Sequence, residues 1–143
     1  MEQVITASGH PNVTATHQST LEVTSDDYLT KAGDCIVAIE ADVVPAEFDE
    51  SFIAACRDDT AEITASIEIG GHRELIRGRG DPALTFESDR AMVIRTSEYV
   101  DDRTVLVEAD GAASTLDRGL VSASARGGDV TVTLSVNPPL FTQ

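Results

Sequence analysis

Glu62-Ile63-Thr64-Ala65-Ser66-Ile67-Glu68-Ile69, followed by Gly70-Gly71 and then His72-Arg73-Glu74-Leu75-Ile76-Arg77, is the stretch that decides the fold. Ile63, Ala65, Ile67 and Ile69 alternate with Glu62, Thr64, Ser66 and Glu68, the period of a strand with one buried and one wet face. The glycine pair supplies the positive φ of a tight hairpin. Two antiparallel strands joined by a short turn follow.

The same alternation recurs outward from this hairpin. Residues 2–8 predict a strand, stopped by the turn-forming Gly9-His10-Pro11-Asn12. Val13 to Thr24 predicts another, with Leu21 and Val23 set against Thr20, Glu22 and Thr24. Cys35 to Ile39 has the apolar run of a buried strand, and Leu84–Phe86, Met92–Arg95 and Thr104–Ala109 are further candidates. Val130, Val132, Leu134 and Val136 alternate with Thr131, Thr133 and Ser135 until Pro138-Pro139 stops the run. Helices are predicted after Pro45, where Phe48, Phe52, Ile53 and Cys56 fall on one stripe, and from a cap at Asp110 to about Ala125, ended by Gly127-Gly128. The expected architecture is mainly β: an antiparallel double sheet, a jelly-roll-like sandwich or partly closed barrel, with two helices. No internal repeat is legible. Residues 1–143 read as a single domain.

Composition bounds the rest. The chain has 25 acidic and 10 basic residues, a formal net charge of -15, and 41% hydrophobic residues, too many for a disordered acidic tail. Lys31 is its only lysine, and the acids include the pairs Asp26-Asp27, Asp58-Asp59 and Asp101-Asp102. This is the surface expected of a protein at high salt. At about 1 M salt the Debye length is only about 3 Å, so like charges barely repel, and dense carboxylates keep the surface hydrated. No apolar run approaches the roughly 18 residues of a membrane span. Met1-Glu2-Gln3 lacks the basic and apolar segments of a secretory leader, so the expected location is the cytoplasm. Cys35 and Cys56, in apolar surroundings and without C-x-x-C spacing, read as buried reduced thiols.

Several segments together resemble the archaeal domain-of-unknown-function family 371. They are Gly9 to His17, Thr20 to Thr24, Gly33 to Ile36, Gly78 to Thr85, Val93 to Tyr99, Arg103-Thr104 and Ala109-Asp110. The resemblance runs from about residue 3 to residue 136. It implies an archaeal protein with a jelly-roll-like double sheet and carries no function with it. It also implies a lysine after Ala109-Asp110, where this chain has Gly111; any anion contact made by that lysine is absent here.

Three places have residue types suited to chemistry. His72, Arg73, Arg77 and Arg79 reverse the sign of an acidic chain within eight residues. On a strand Arg73, Arg77 and Arg79 share a face, and Arg95 joins them if its strand lies alongside. Guanidinium forks bind phosphate or carboxylate bidentately, so the leading expectation is a binding domain for an anion such as a nucleotide, phosphate or RNA backbone. Pairing of these arginines with the abundant acids is the competing reading. His10, Asn12, His17 and Glu22 form a candidate polar pocket that completes the site if the two segments meet. His10, His17 and Asp34 are also candidate metal ligands, and that set is the core of the second reading, a metal-dependent enzyme. Seven residues across a proline turn impose no ligand geometry. Ser97 in Thr96-Ser97-Glu98-Tyr99 lacks the nucleophile-elbow spacing, and Gly78-Arg79-Gly80 is no P-loop. The third reading is an interaction subunit without a small-molecule site, including a homo-oligomer. No cofactor is implied.

Overall fold

The computed structural model describes residues 1–137, so the expected stop at Pro138-Pro139 lies outside the described residues. Eight strands form two four-stranded sheets. The first sheet has the order β1 (Glu2–Ser8), β8 (Asp129–Val136), β4 (Glu62–Ile69), β5 (His72–Arg79), and every pair in it is antiparallel. The second has the order β3 (Ile36–Ala38), β2 (Thr20–Thr24), β6 (Ala91–Arg95), β7 (Thr104–Leu106). Its central pair is antiparallel, but β2–β3 and β6–β7 are parallel. Each parallel pair is reached by a loop that carries the chain back along the sheet, the crossover that parallel pairing requires. Alternating side chains report burial and do not report strand direction. Single bridges, Ser8 to Ile39 and Arg79 to Val107, tie the sheets at two corners, and the strands make a sandwich without closing into a barrel.

Helices α1 (Glu50–Cys56) and α2 (Arg118–Ala125) each follow a short 3-10 turn, Pro45–Glu47 and Ala113–Thr115. Asp117 caps α2 by accepting from the Leu120 amide. Asp110, the expected cap, instead accepts the Arg77 amide at 2.8 Å. Leu84 and Phe86 are buried without a ladder, in a loop where Phe86 has φ 52°, so their apolar character reports burial alone. Of Val13 to Thr24, only Thr20–Thr24 is strand. The core joins Ile63, Ile67, Val132 and Leu134 of the first sheet to Leu21 and Ile94 of the second and to Phe52 and Leu120 of the helices. Each such side chain contributes roughly 1.5–3 kcal/mol on burial.

The chain does contain a repeat, plain in three dimensions and faint in the sequence, where Gly9-His10-Pro11-Asn12-Val13-Thr14 matches Gly80-Asp81-Pro82-Ala83-Leu84-Thr85. The order strand, strand, short strand, 3-10 turn, helix, long strand occurs twice, β1 to β4 and β5 to β8. Exchanging the halves turns each sheet's strand order into its own reverse. The details follow. Ala15 and Phe86 have φ 50° and 52°, Glu40 and Glu108 have 58° and 51°, and these non-glycine left-handed residues occupy matching loops. Glu40-Ala41-Asp42 recurs as Glu108-Ala109-Asp110, with Asp42 accepting the Thr6 amide at 2.9 Å as Asp110 accepts that of Arg77. Elsewhere the chemistry is conserved and the residue is not. The His17 ring takes the amides of Ser19 and Thr20, where Ser88 Oγ takes those of Arg90 and Ala91. Glu47 holds the Val44 amide, where Thr115 holds that of Ala112.

Candidate anion-binding face

The outer face of the first sheet is set by strand parity. Glu2, Val4, Thr6 and Ser8 of β1 stand beside Asp129, Thr131, Thr133 and Ser135 of β8. Next come Glu62, Thr64, Ser66 and Glu68 of β4, then Arg73, Leu75, Arg77 and Arg79 of β5. Three rows cross the strands: Glu2–Ser135–Thr64–Arg77, Val4–Thr133–Ser66–Leu75 and Thr6–Thr131–Glu68–Arg73. Hydroxyls fill the middle of the first two rows, Thr131 and Glu68 that of the third, and the two edges differ in charge.

The four arginines of the sequence reading separate into two kinds. Arg79 is bound by acids: Nε to Glu108 at 3.0 Å, one amino group to Glu98 at 3.2 Å, the other to Asp81 at 3.3 Å. The hydrogen bond to Glu108 leads the effects that raise its pKa, and the same contact lowers that of Glu108. Arg95 lies on the second sheet, holds Asp101 at 2.9 Å and Thr104 Oγ1 at 2.9 Å, and stacks 4.8 Å from the centre of the Tyr99 ring. Burial resists ionisation of Asp101, but hydrogen bonds from Arg103 and the charges of Arg95 and Arg103 outweigh it and bring the carboxyl down to about 2. These two arginines are structural. Arg73 and Arg77 are exposed on the face of β5. Arg73 Nε donates to Ser66 Oγ at 3.1 Å, and neither arginine makes an ion pair with any described residue, although Glu68 faces Arg73 across the ladder.

The histidine segment does not join them. β1 and β5 are the outer strands of the sheet and run in opposite directions, so the His10 turn and the Arg79 end lie at opposite corners. Three strand spacings alone put about 14 Å between the edges. His10 Nδ1 accepts the Asn12 amide at 3.0 Å, Asn12 donates to the Leu29 carbonyl at 2.7 Å, and His17 Nδ1 accepts the Thr20 amide at 3.1 Å. A neutral ring that accepts at Nδ1 has its proton on Nε2, which leaves neither nitrogen a free lone pair for a metal. Asp34 serves through its backbone carbonyl, which takes the Thr16 and His17 amides. Glu22, on the second sheet, faces Cys35 Sγ at 3.6 Å and Arg103 at 3.7 Å. Among the described residues no three His, Cys, Asp or Glu side chains gather as a metal site. Burial pushes the Cys35 thiol up to about 11 and that of Cys56 up to about 12, so neither is a ready nucleophile.

The matching corners of the two halves carry equivalent acids, Glu40, Asp42 and Asp129 against Glu108, Asp110 and Glu62, and differ in the arginines that only one of them has. Glu40, Asp42 and Asp129 line an open concavity beside Thr6 and Ser8. In the other half Arg77 and Arg79 occupy the positions of Thr6 and Ser8. Sequence reading missed Glu108, which holds Arg79 from 29 residues away, and Asp101, which holds Arg95 from six residues away across the turn before β7. It also missed the hydroxyl columns, whose signal was the threonines alternating in β8. At Gly111, a Cβ would lie 2.8 Å from Thr115 Oγ1 and 3.3 Å from Ile76, so the lysine that the resemblance implies requires the Thr115 side chain to shift.

The family described as a domain of unknown function, DUF371, matches residues 5–137, from inside β1 to the residue after β8. The chain belongs to the DUF371 family. An uncharacterised protein of the archaeon Methanocaldococcus jannaschii is 39% identical over 127 residues, 89% of this chain and 93% of that protein. DUF371 membership therefore covers both halves of the duplicated fold and both edges of the exposed sheet. Among the described residues no helix is long and apolar enough to cross a membrane.

Proposed function

We propose that this DUF371 protein is a cytoplasmic binding module of a high-salt organism, with the phosphate group of a small molecule or an RNA backbone as its ligand. The surface is the outer face of the first sheet along β5. One observation carries the reading: in a chain of net charge -15, Arg73 and Arg77 are exposed and make no ion pair among the described residues. Guanidinium groups left without a carboxylate among so many acids are available to an anion. Thr64, opposite Arg77 on β4, adds a hydroxyl donor, while the buried Ser66 hydroxyl holds the Arg73 guanidinium in place. Arg79 and Arg95 hold the scaffold and leave the ligand to the other two.

Titration with inorganic phosphate, a nucleotide and a short single-stranded RNA at several salt concentrations tests this. Binding that weakens as salt rises, and falls at least roughly tenfold in Arg73→Gln/Arg77→Gln, supports it. Binding unchanged by that pair of substitutions overturns it. The phosphate and RNA arms separate a small ligand from a polymer.

A further inference from the structure

We infer that the same face pairs with a second copy of this chain, β1 of one copy lying over β5 of the other. This goes beyond the anion reading and shares Arg73 and Arg77 with it, so the two occupants compete.

The argument is charge complementarity within one surface. A twofold axis parallel to the strands keeps each row in register and exchanges its ends. Glu2 then faces Arg77 of the second copy, Val4 faces Leu75, and Thr6 faces Arg73, while in the middle Ser135 meets Thr64, Thr133 meets Ser66 and Thr131 meets Glu68, whose carboxylate stays beside Arg73 of its own copy. Each contact occurs twice, as an isologous interface requires. The other in-plane axis, across the strands, sets Arg73 against Arg77 and is opposed by like charge. Val4 and Leu75 are 47% and 38% exposed, large apolar side chains at the two ends of one row, and the pairing covers both. Sheets stack face to face at about 10 Å with strands within about 30° of each other, a separation these side chains span. The face measures about 14 Å between its outer strands and about 24 Å along them, small for a specific interface. The dimer is therefore reversible.

Sedimentation equilibrium over a wide protein concentration range tests the pairing on wild type, Glu2→Arg, Arg77→Glu and the exchanged pair Glu2→Arg/Arg77→Glu. Circular dichroism confirms that each variant is folded. Wild type is expected to dimerise with concentration, each single reversal to weaken this at least roughly tenfold, and the exchange to restore it. A wild type that stays monomeric at every concentration overturns the inference. So does a dimer indifferent to the reversals, or an exchanged pair no better than the singles. Phosphate binding measured on dilute monomer is independent of these outcomes, so failure of the dimer and failure of the anion reading are seen separately.

Discussion

The two halves of this molecule share a backbone and differ in charge. β1 and β5 are equivalent edge strands, each held at its outer end by an aspartate that accepts a strand amide, Asp42 on Thr6 and Asp110 on Arg77. β1 presents Glu2, Thr6 and Ser8 where β5 presents Arg73, Arg77 and Arg79. What the halves have in common is what the fold needs. Of what differs on this face, Arg79 is held by acids of its own half, and Arg73 and Arg77 are left without an ion pair among the described residues.

The strongest way to break the equivalence is at two buried glycines. A Cβ on Gly9 would collide with the Ser124 carbonyl oxygen, and one on Gly80 with that of Cys56. Gly9→Ala and Gly80→Ala are each expected to cost about 3 kcal/mol or more, by similar amounts, in chemical denaturation. A tolerated alanine on one side alone would show that the halves are not built alike.

Acid sharpens the contrast next. The carboxyl of Asp101 lies lower in the folded state, at about 2, than in the unfolded chain, at about 3.9. Its contribution is therefore present above about pH 4 and is lost as pH falls toward 2, roughly 2 kcal/mol in all. Asp101→Asn should remove that part of the acid dependence. An unchanged acid profile in this variant would refute the assignment.

Smaller effects concern the third arginine. Arg79→Ser makes β5 resemble β1 and leaves Asp81, Glu98 and Glu108 without their shared cation, a loss of about 1 kcal/mol. Ser8→Arg, which gives the Glu40 corner an arginine, should gain a few tenths of a kcal/mol. Thermal melts at low salt read both, and a gain from Arg79→Ser would contradict the scaffold role given to Arg79.

Much of the fold was legible in local patterns. The hairpin at Gly70-Gly71, with φ of 55° and 85°, and the alternation of β4 and β8 are periodic signals that survive in one sequence. The shared face of Arg73, Arg77 and Arg79 followed from parity alone. The repeat shows in the sequence only at short segments such as Glu40-Ala41-Asp42 and Glu108-Ala109-Asp110, because elsewhere the halves conserve hydrogen bonds through different residues, a histidine ring against a serine hydroxyl at His17 and Ser88. The division of the arginines was hidden. Glu108 meets Arg79, 29 residues away, only because the chain after β7 returns to the β5 edge. The start of α2 was misplaced because Asp110 serves a strand edge, and Asp110 and Asp117 look alike without the tertiary contacts that separate them.

The central claim is that the β5 edge binds phosphate and the equivalent β1 edge does not. Residue-resolved NMR during titration of dilute protein with inorganic phosphate tests it most directly. Amide shifts should concentrate at Arg73 to Arg77, with Glu2 to Thr6 silent. Equal shifts at both edges, or shifts centred on His10 and His17, would contradict the account.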